Sequence, residues 1–157
     1  MEQYSLDAFD RKILAVIQAE PDITVSALAE RIGLSQTPCW RRLKALESSG
    51  FIASRAVILD AKRLGFVVDV FAHVRLSRHD GDTLDRFEDA VRSHPEVVSC
   101  FSMSGESDYL MRILCRSIED YDRFLKKDLL HMPGVAAVNS SFSLKTVKQT
   151  TDLPIEA

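Results

Sequence analysis

The sequence has few cysteines and no arrangement of them that forms a known motif. Cys39, Cys100 and Cys115 are odd in number and distant in sequence, so we expect neither a disulfide framework nor a CxxC metal or redox site. No apolar run approaches the roughly 20 residues that cross a bilayer, and residues 1–10 lack a basic stretch followed by an apolar one. We therefore expect reduced thiols, no membrane span, no secretory signal and a cytoplasmic location.

Motifs of catalysis and cofactor binding are also missing. There is no nucleophile elbow, P-loop or GxGxxG. The histidines, at His73, His79, His94 and His131, are scattered without the spacing of metal ligands. Asp69 and His73 share one face of a predicted strand and could act as an acid–base pair, but ordinary strand-surface polarity explains them better. We expect no enzyme, no metal and no cofactor.

The net charge of −3 gives no global sign of nucleic-acid binding, whereas the local charge distribution does. From residue 31 to residue 44 every charged side chain is basic. These residues are Arg31, Arg41, Arg42 and Lys44. DNA binding depends on where the positive charge lies as well as on its total.

Residues 6–50 predict three short helices. Apolar residues from Leu6 to Ile17 recur at three- and four-residue spacing, and Pro21 ends this first helix. Thr24 is a predicted N-cap for the second helix, which Gly33 ends in a left-handed conformation. Ser35 is predicted to cap the third helix, with Pro38 in its first turn. Three helices with such short turns are typical of a helix-turn-helix unit.

The rest of the chain predicts an α+β unit. Residues 51–59 predict a short strand or extended wing, and residues 60–65 a linker. From Phe66 onward the hydrophobic period changes to two, and strands alternate with amphipathic helices in the order βαββαβ, which is the ferredoxin-like pattern. Val67 and Phe71 make the second sheet face apolar, which predicts a dimer. We therefore divide the chain into domains at 1–59 and 66–157.

The chain closely resembles the Lrp/AsnC family of bacterial transcriptional regulators, also called feast/famine regulatory proteins. The resemblance covers residues 6–151 and is carried by LAERIGLSQTPCWRRLKALE, by MSGESDYLMR and by MPGV. It implies a winged helix-turn-helix joined to a ferredoxin-like effector and oligomerisation domain. It also implies dimers that assemble into octamers, and amino acids that shift assembly or DNA binding. Arg41 departs from the acidic or neutral residue of many members, which favours phosphate contact.

The third helix is the predicted DNA-reading element, because an α-helix fits the major groove, where base edges are distinguishable. Gln36 and Thr37 are expected to reach bases. The full set of predicted DNA-binding residues is Ser35, Gln36, Thr37, Pro38, Arg41, Arg42, Lys44 and Arg55. A solvated basic face is the alternative reading of the charges alone.

The loop around Gly105 is the predicted effector site. A free amino acid is a zwitterion, so it needs acidic side chains for its ammonium and N–H or O–H donors for its carboxylate. The predicted set is Ser104, Gly105, Glu106, Asp108, Tyr109, Val135, Ser140 and Ser141, the last three as an opposing wall from a neighbouring subunit. A tight hairpin with Gly105 at positive φ, held by Asp108, is the alternative.

These residues lead to one predicted function and three rivals. We expect a sequence-specific regulator that binds double-stranded DNA, controls amino-acid metabolism and responds to a small amino acid at subunit interfaces. The rivals are an enzyme built on the second half, an architectural DNA-compacting protein, and an amino-acid-binding module without DNA function. The basic cluster of the third helix argues against the last.

Overall fold

The chain folds into two compact units, and the computed structural model describes residues 4–156. The first unit runs to Ile58 and also contains the segment from Lys148 onward, whereas the second spans Leu59–Val147. The predicted domains assigned residues 148–157 to the second half. The structure instead groups that segment with the first unit, where Ile155 packs against the core. Residues 1–3 and 157, which the predicted domains also included, lie outside the described residues.

Three helices form the first unit, as the spacing of apolar residues predicts. They are α1 (Ala8–Ala19), α2 (Val25–Ile32) and α3 (Gln36–Ser48). Each helix contributes an apolar stripe to one core, because residues three and four apart lie on the same helix face. The buried side chains are Ile13, Leu14, Ile17, Leu28, Ala29, Ile32, Cys39, Leu43 and Leu46.

The turns between these helices largely follow the predicted capping. Thr24 Oγ1 accepts a hydrogen bond from the Ala27 amide, 3.3 Å away, at the start of α2. Gly33 ends α2 at φ +75°, a conformation that a side chain disfavours. Ser35 is the N-cap residue of α3, as predicted, but its side chain makes no capping bond. The third helical position holds Pro38, which has no N–H to donate to the Ser35 hydroxyl.

The predicted wing strand is not a strand within this chain. Residues 51–59 pair with no strand in the part of the chain that the structure describes. The predicted linker at residues 60–65 is an ordered turn. In it the Arg63 amide donates to Asp60 Oδ1 over 3.1 Å, and the Phe66 amide donates to the Ala61 carbonyl over 2.9 Å.

The second unit has the predicted ferredoxin-like order. Its elements are β1 (Val68–Leu76), α4 (Gly81–Ser93), β2 (Val97–Ser102), β3 (Tyr109–Cys115), α5 (Ile118–Lys127), a single 3₁₀ turn (Leu129–His131) and β4 (Val135–Phe142). The strands lie in the order β2-β3-β1-β4, and each neighbouring pair is antiparallel. This arrangement follows from the two strand-helix-strand units that the sequence repeats.

Successive side chains of each strand point to opposite faces of the sheet. One face packs on α4 and α5 and holds Val70, Ala72, Met111 and Ile113, all fully buried with Phe87 of α4. The other face, which we call the open face, points away from both helices. By strand register it carries Phe71, His73 and Arg75 of β1, Phe101 of β2, Leu110 and Arg112 of β3, and Ala137 and Asn139 of β4.

Candidate DNA-binding and effector sites

The outward side of α3 carries exposed side chains at helical spacing. Thr37, Arg41 and Lys44 are exposed, and Trp40 beside them is 51% exposed. Arg41 forms no ion pair with any residue that the structure describes. Lys44 is paired with Glu47, with 2.7 Å between Nζ and Oε2. Because that pair is exposed, its strength is small and Lys44 can exchange partners.

Two predicted DNA contacts at the start of α3 also have structural roles. Gln36 Nε2 donates to Ser26 Oγ of α2 over 2.9 Å, which ties the two helices together across their turn. Pro38 is half-buried in the first turn of α3. Ser35 and Gln36 are both exposed, so each can also meet a ligand that approaches the start of α3.

Arg42 lies on the other side of α3 and faces α1. Its Nη1 donates to Asp7 Oδ2 over 2.7 Å and to Asp10 Oδ1 over 2.9 Å. Its guanidinium also lies 5.6 Å from the centre of the Phe9 ring. Asp10 is only 2% exposed, so a positive partner is needed to compensate its desolvation. The structure therefore makes Arg42 an anchor between α3 and α1. Its predicted contact with DNA stays a prediction.

The anchor includes the capping box of α1. The Asp10 amide donates to Asp7 Oδ1 over 2.9 Å, and the Asp7 amide donates back to Asp10 Oδ2 over 3.2 Å. The first of these bonds, with help from Arg42, lowers the pKa of the Asp7 carboxyl. Hydrogen bonds to Asp10 and Asp7 raise the pKa of the Arg42 guanidinium. Tyr4 adds a hydroxyl bond to Asp10 over 3.3 Å.

Arg55 is also held within the first unit. Its Nη1 donates to the Pro21 carbonyl over 3.0 Å, and Nη2 lies 3.6 Å from Glu47 Oε1. The side chain thus connects the segment after α3 to the turn between α1 and α2. About half of the Arg55 side chain is exposed, which leaves room for a second partner, so its predicted contact with DNA stays a prediction.

At two positions the predicted effector loop has the features of the alternative, a tight hairpin held by Asp108. Gly105 has φ +137°, which favours glycine. Asp108 Oδ2 accepts from the Leu76 amide over 2.7 Å, and Oδ1 lies 2.8 Å from His79 Nε2. These two partners, the Leu76 amide foremost, lower the pKa of the Asp108 carboxyl. The carboxylate therefore fixes the loop to the end of β1, whereas Ser104, Gly105 and Glu106 are exposed.

The structure does not bring the remaining predicted effector residues together. Tyr109 is buried under α4, and its hydroxyl donates to Glu88 Oε1 over 3.0 Å. Val135 packs against the core, and Ser140 shares a hydrogen bond with the Tyr121 hydroxyl of α5. Ser141 lies on the opposite face of β4. Within this chain strand alternation separates these residues. Val135, Ser140 and Ser141 were predicted as a wall from a neighbouring subunit, and that arrangement stays a prediction.

A cleft on the open face gathers a different set of polar residues. It has a volume of about 690 Å³ and is lined by His73, Arg75, Glu106, Ser107, Ala137 and Asn139. Of the predicted effector residues only Glu106 belongs to it. His73 Nδ1 lies 3.2 Å from Ser107 Oγ, whereas Arg75 and Glu106 form no ion pair with any described residue. Strand alternation placed His73 and Arg75 on one face, and this was the sequence signal for the cleft.

The described residues contain no group of three or more His, Cys, Asp or Glu side chains placed to hold a metal ion. The thiols are unpaired, and Cys39 and Cys115 are buried. Burial raises the pKa of the Cys100 thiol to about 11, so this group is protonated at neutral pH. Among residues 4–156, no helix has both the length and the apolar character of a membrane span.

A three-helix unit with an exposed third helix, followed by a ferredoxin-like unit with a polar cleft, defines a class of DNA-binding proteins with a sensor domain. Two family models match these parts. Residues 6–53 match a winged helix-turn-helix DNA-binding model, and residues 69–153 match the Lrp/AsnC ligand binding domain. The chain belongs to the Lrp/AsnC family of transcriptional regulators, which confirms the resemblance found in the sequence.

Relatives of known role align over nearly the whole chain. The DNA-binding transcriptional activator DecR of Escherichia coli is 39% identical over 151 residues, which cover 96% of this chain and 99% of DecR. The glutamate uptake regulatory protein of Zymomonas mobilis is 38% identical over 150 residues, 96% of this chain and 91% of that protein. A transcriptional regulator of Neisseria meningitidis, solved in complex with L-methionine, is 39% identical with a TM-score of 0.91, covering 96% of this chain and 97% of that one.

Proposed function

We propose that this regulator binds specific sequences of double-stranded DNA through α3 and that a free amino acid modulates the binding. Family membership supports a role in transcription. The observation that carries the DNA proposal is the outward side of α3, where Thr37 and the unpaired Arg41 lie about one turn apart. An α-helix enters the major groove with such side chains toward base edges and phosphates. DNA binding also supports a cytoplasmic location.

Arg41 provides the test of this interface. If its guanidinium contacts a phosphate, Arg41→Ala weakens binding to many sequences alike and lowers the slope of log affinity against log salt by about 0.9. The measurement is fluorescence anisotropy of a labelled duplex at four salt concentrations. Arg86→Ala, an exposed arginine of α4, is the matched control and leaves the slope unchanged. An unaltered slope in Arg41→Ala removes this residue from the interface.

The cleft on the open face is the effector site that the side chains support best. Arg75 offers a guanidinium for a carboxylate, and Glu106 offers a carboxylate for an ammonium group. These are the two charged groups that every free amino acid presents. The Neisseria relative in complex with L-methionine supports the same ligand class, and relatives named for proline dehydrogenase and glutamate uptake support control of amino-acid metabolism.

Ligand-induced stabilisation tests the effector proposal. A ligand that binds only the folded chain raises its melting temperature, so a thermal-shift screen of the twenty amino acids identifies the effector. Arg75→Ala is expected to weaken that effector at least roughly tenfold, since a charge-assisted bond is lost. Arg78→Ala, three residues along and 80% exposed, is the control. Equal binding by Arg75→Ala and the wild type rejects the cleft.

The open face also supports a dimer. Phe101 of β2 is 59% exposed on it and pairs with Leu110 of β3, and Phe71 of β1 lies on the same face. An exposed apolar sheet face of this kind is stabilised by a second sheet. A second copy covering it places the cleft at a subunit boundary, so the effector and the assembly influence each other. Assembly of dimers into octamers remains the further expectation, to be measured by light scattering.

A further inference from the structure

After β4 the chain leaves the second unit and returns to the first. Residues 148–156, which we call the strap, belong to the same compact unit as α1 to α3. Residues 143–152 lie between the end of β4 and Leu153, the strap residue whose backbone bonds to α1. The first unit is consequently joined to the second at two places along the chain, near residue 58 and near residue 148.

The strap is held on α1 by a small set of contacts. Gln18, in the last turn of α1, uses both ends of its amide: Nε2 donates to the Leu153 carbonyl over 2.9 Å, and Oε1 accepts from the Leu153 amide over 3.1 Å. Ile155 packs, partly buried, against the core of the first unit. The Gln18 amide thus bonds both backbone polar groups of Leu153, as a neighbouring strand would.

These contacts are few, so the strap can detach from α1. Thr150, Thr151 and Asp152 are exposed, and the Leu153 side chain is 68% exposed. Release therefore exposes little apolar surface beyond Ile155, and water can replace both hydrogen bonds of Gln18. Segments with few buried apolar contacts open more readily than the core of a domain does.

We propose that the docked strap restrains the orientation of the DNA-binding unit and so prepares a dimer for an operator with two half-sites. A DNA-binding unit that is tethered by one flexible connection loses much rotational freedom when both units of a dimer bind their half-sites. A unit that is tethered at two places has already lost part of that freedom before DNA binds. This proposal rests on the proposed function for its DNA ligand.

The test separates orientation from direct DNA contact. A duplex is first selected by the wild-type chain from a randomised pool, and a shortened duplex with one half-site is made from it. The variant Gln18→Ala/Ile155→Ser releases the strap, and Thr151→Ala is the matched control. We expect the variant to lose roughly tenfold in affinity for the full duplex and less than twofold for the half-site. Faster hydrogen exchange of the Leu153 amide verifies release.

Each other outcome overturns the proposal. Equal loss on both duplexes means that the strap only supports the fold of the first unit. Full affinity despite rapid exchange at Leu153 means that the strap does not orient that unit. Unchanged exchange means that Gln18 and Ile155 do not hold the strap. A wild-type chain that selects no sequence from the pool contradicts the proposed function itself, which is a separate result.

Discussion

The anchor role of Arg42 gives a quantitative prediction for stability. Arg42→Ala removes the positive partner of Asp10, which is 2% exposed, and both hydrogen bonds that join α3 to the capping box of α1. Hydrogen bonds to charged groups contribute about 1.5–3 kcal/mol, and Arg42 is itself about one-third exposed, which weakens the pair. Asp10 keeps its bonds from Tyr4 and from the Asp7 amide. We expect the first unit to lose about 2 kcal/mol of unfolding free energy.

The sole tryptophan makes this loss measurable. Trp40 lies on α3, so its fluorescence during urea titration reports the unfolding of the first unit. Both bonds of Arg42 start from the same nitrogen, and a lysine ammonium can also serve two carboxylates. Arg42→Lys is therefore expected to recover at least half of the loss. Arg41→Ala is the control and is expected to change stability by less than about 0.5 kcal/mol.

The opposite pattern refutes the anchor. If Arg42→Ala unfolds at the wild-type urea concentration and instead lowers the salt slope of DNA binding by about 1, Arg42 contacts DNA, as the sequence suggested, and does so at a phosphate. Loss of stability with an unchanged salt slope for the folded fraction supports the anchor. The two readouts are independent, because one follows unfolding and the other follows counterion release from DNA.

Two further predictions concern the second unit. Gly134 has φ +78°, and an added Cβ would overlap the γ-methyl group of Thr83, so Gly134→Ala should lower the free energy of unfolding by about 1–3 kcal/mol, measured by thermal unfolding. Gly81→Ala, with open space around it, is the control. Equal melting temperatures for the two variants would show that the turn at Gly134 adapts. The pKa of Asp108 is lowered in the folded chain, so its carboxylate stabilises the fold fully at a pH above the ordinary aspartate pKa of about 3.9. This contribution disappears as the pH falls through the lower folded-state pKa. Circular dichroism should therefore show wild type and Asp108→Asn converging in stability between about pH 5 and pH 2, and a constant difference would contradict the assigned bonds.

The helices, the strand order and the family could be predicted because each leaves a local or periodic signal. Arg42 also left such a signal. It lies three residues after Cys39 and four before Leu46, beside the buried stripe, whereas Arg41 lies four after the exposed Thr37. Counting basic residues gave both arginines the same role, and helical position separates them.

The effector residues and the strap could not be predicted in the same way. Ser140 and Ser141 are neighbours in sequence, yet one faces α5 and the other the open face, so an error of one residue in strand register exchanges them. The cleft depends on which strands are neighbours, since His73 meets Asn139 only through the pairing of β1 with β4. Gln18 and Leu153 are 135 positions apart, and no spacing rule connects residues at that distance.

The proline in the first turn of α3 has a consequence for how that helix is completed. With no N–H at position 38, the Ser35 side chain makes no capping bond, and the first-turn amides gain no acceptor from it. Positive partial charge therefore remains concentrated at this end of the helix, where an anionic oxygen is a favourable partner. A duplex backbone would supply such an oxygen, so α3, if it enters DNA as proposed, would gain its missing cap from the phosphate.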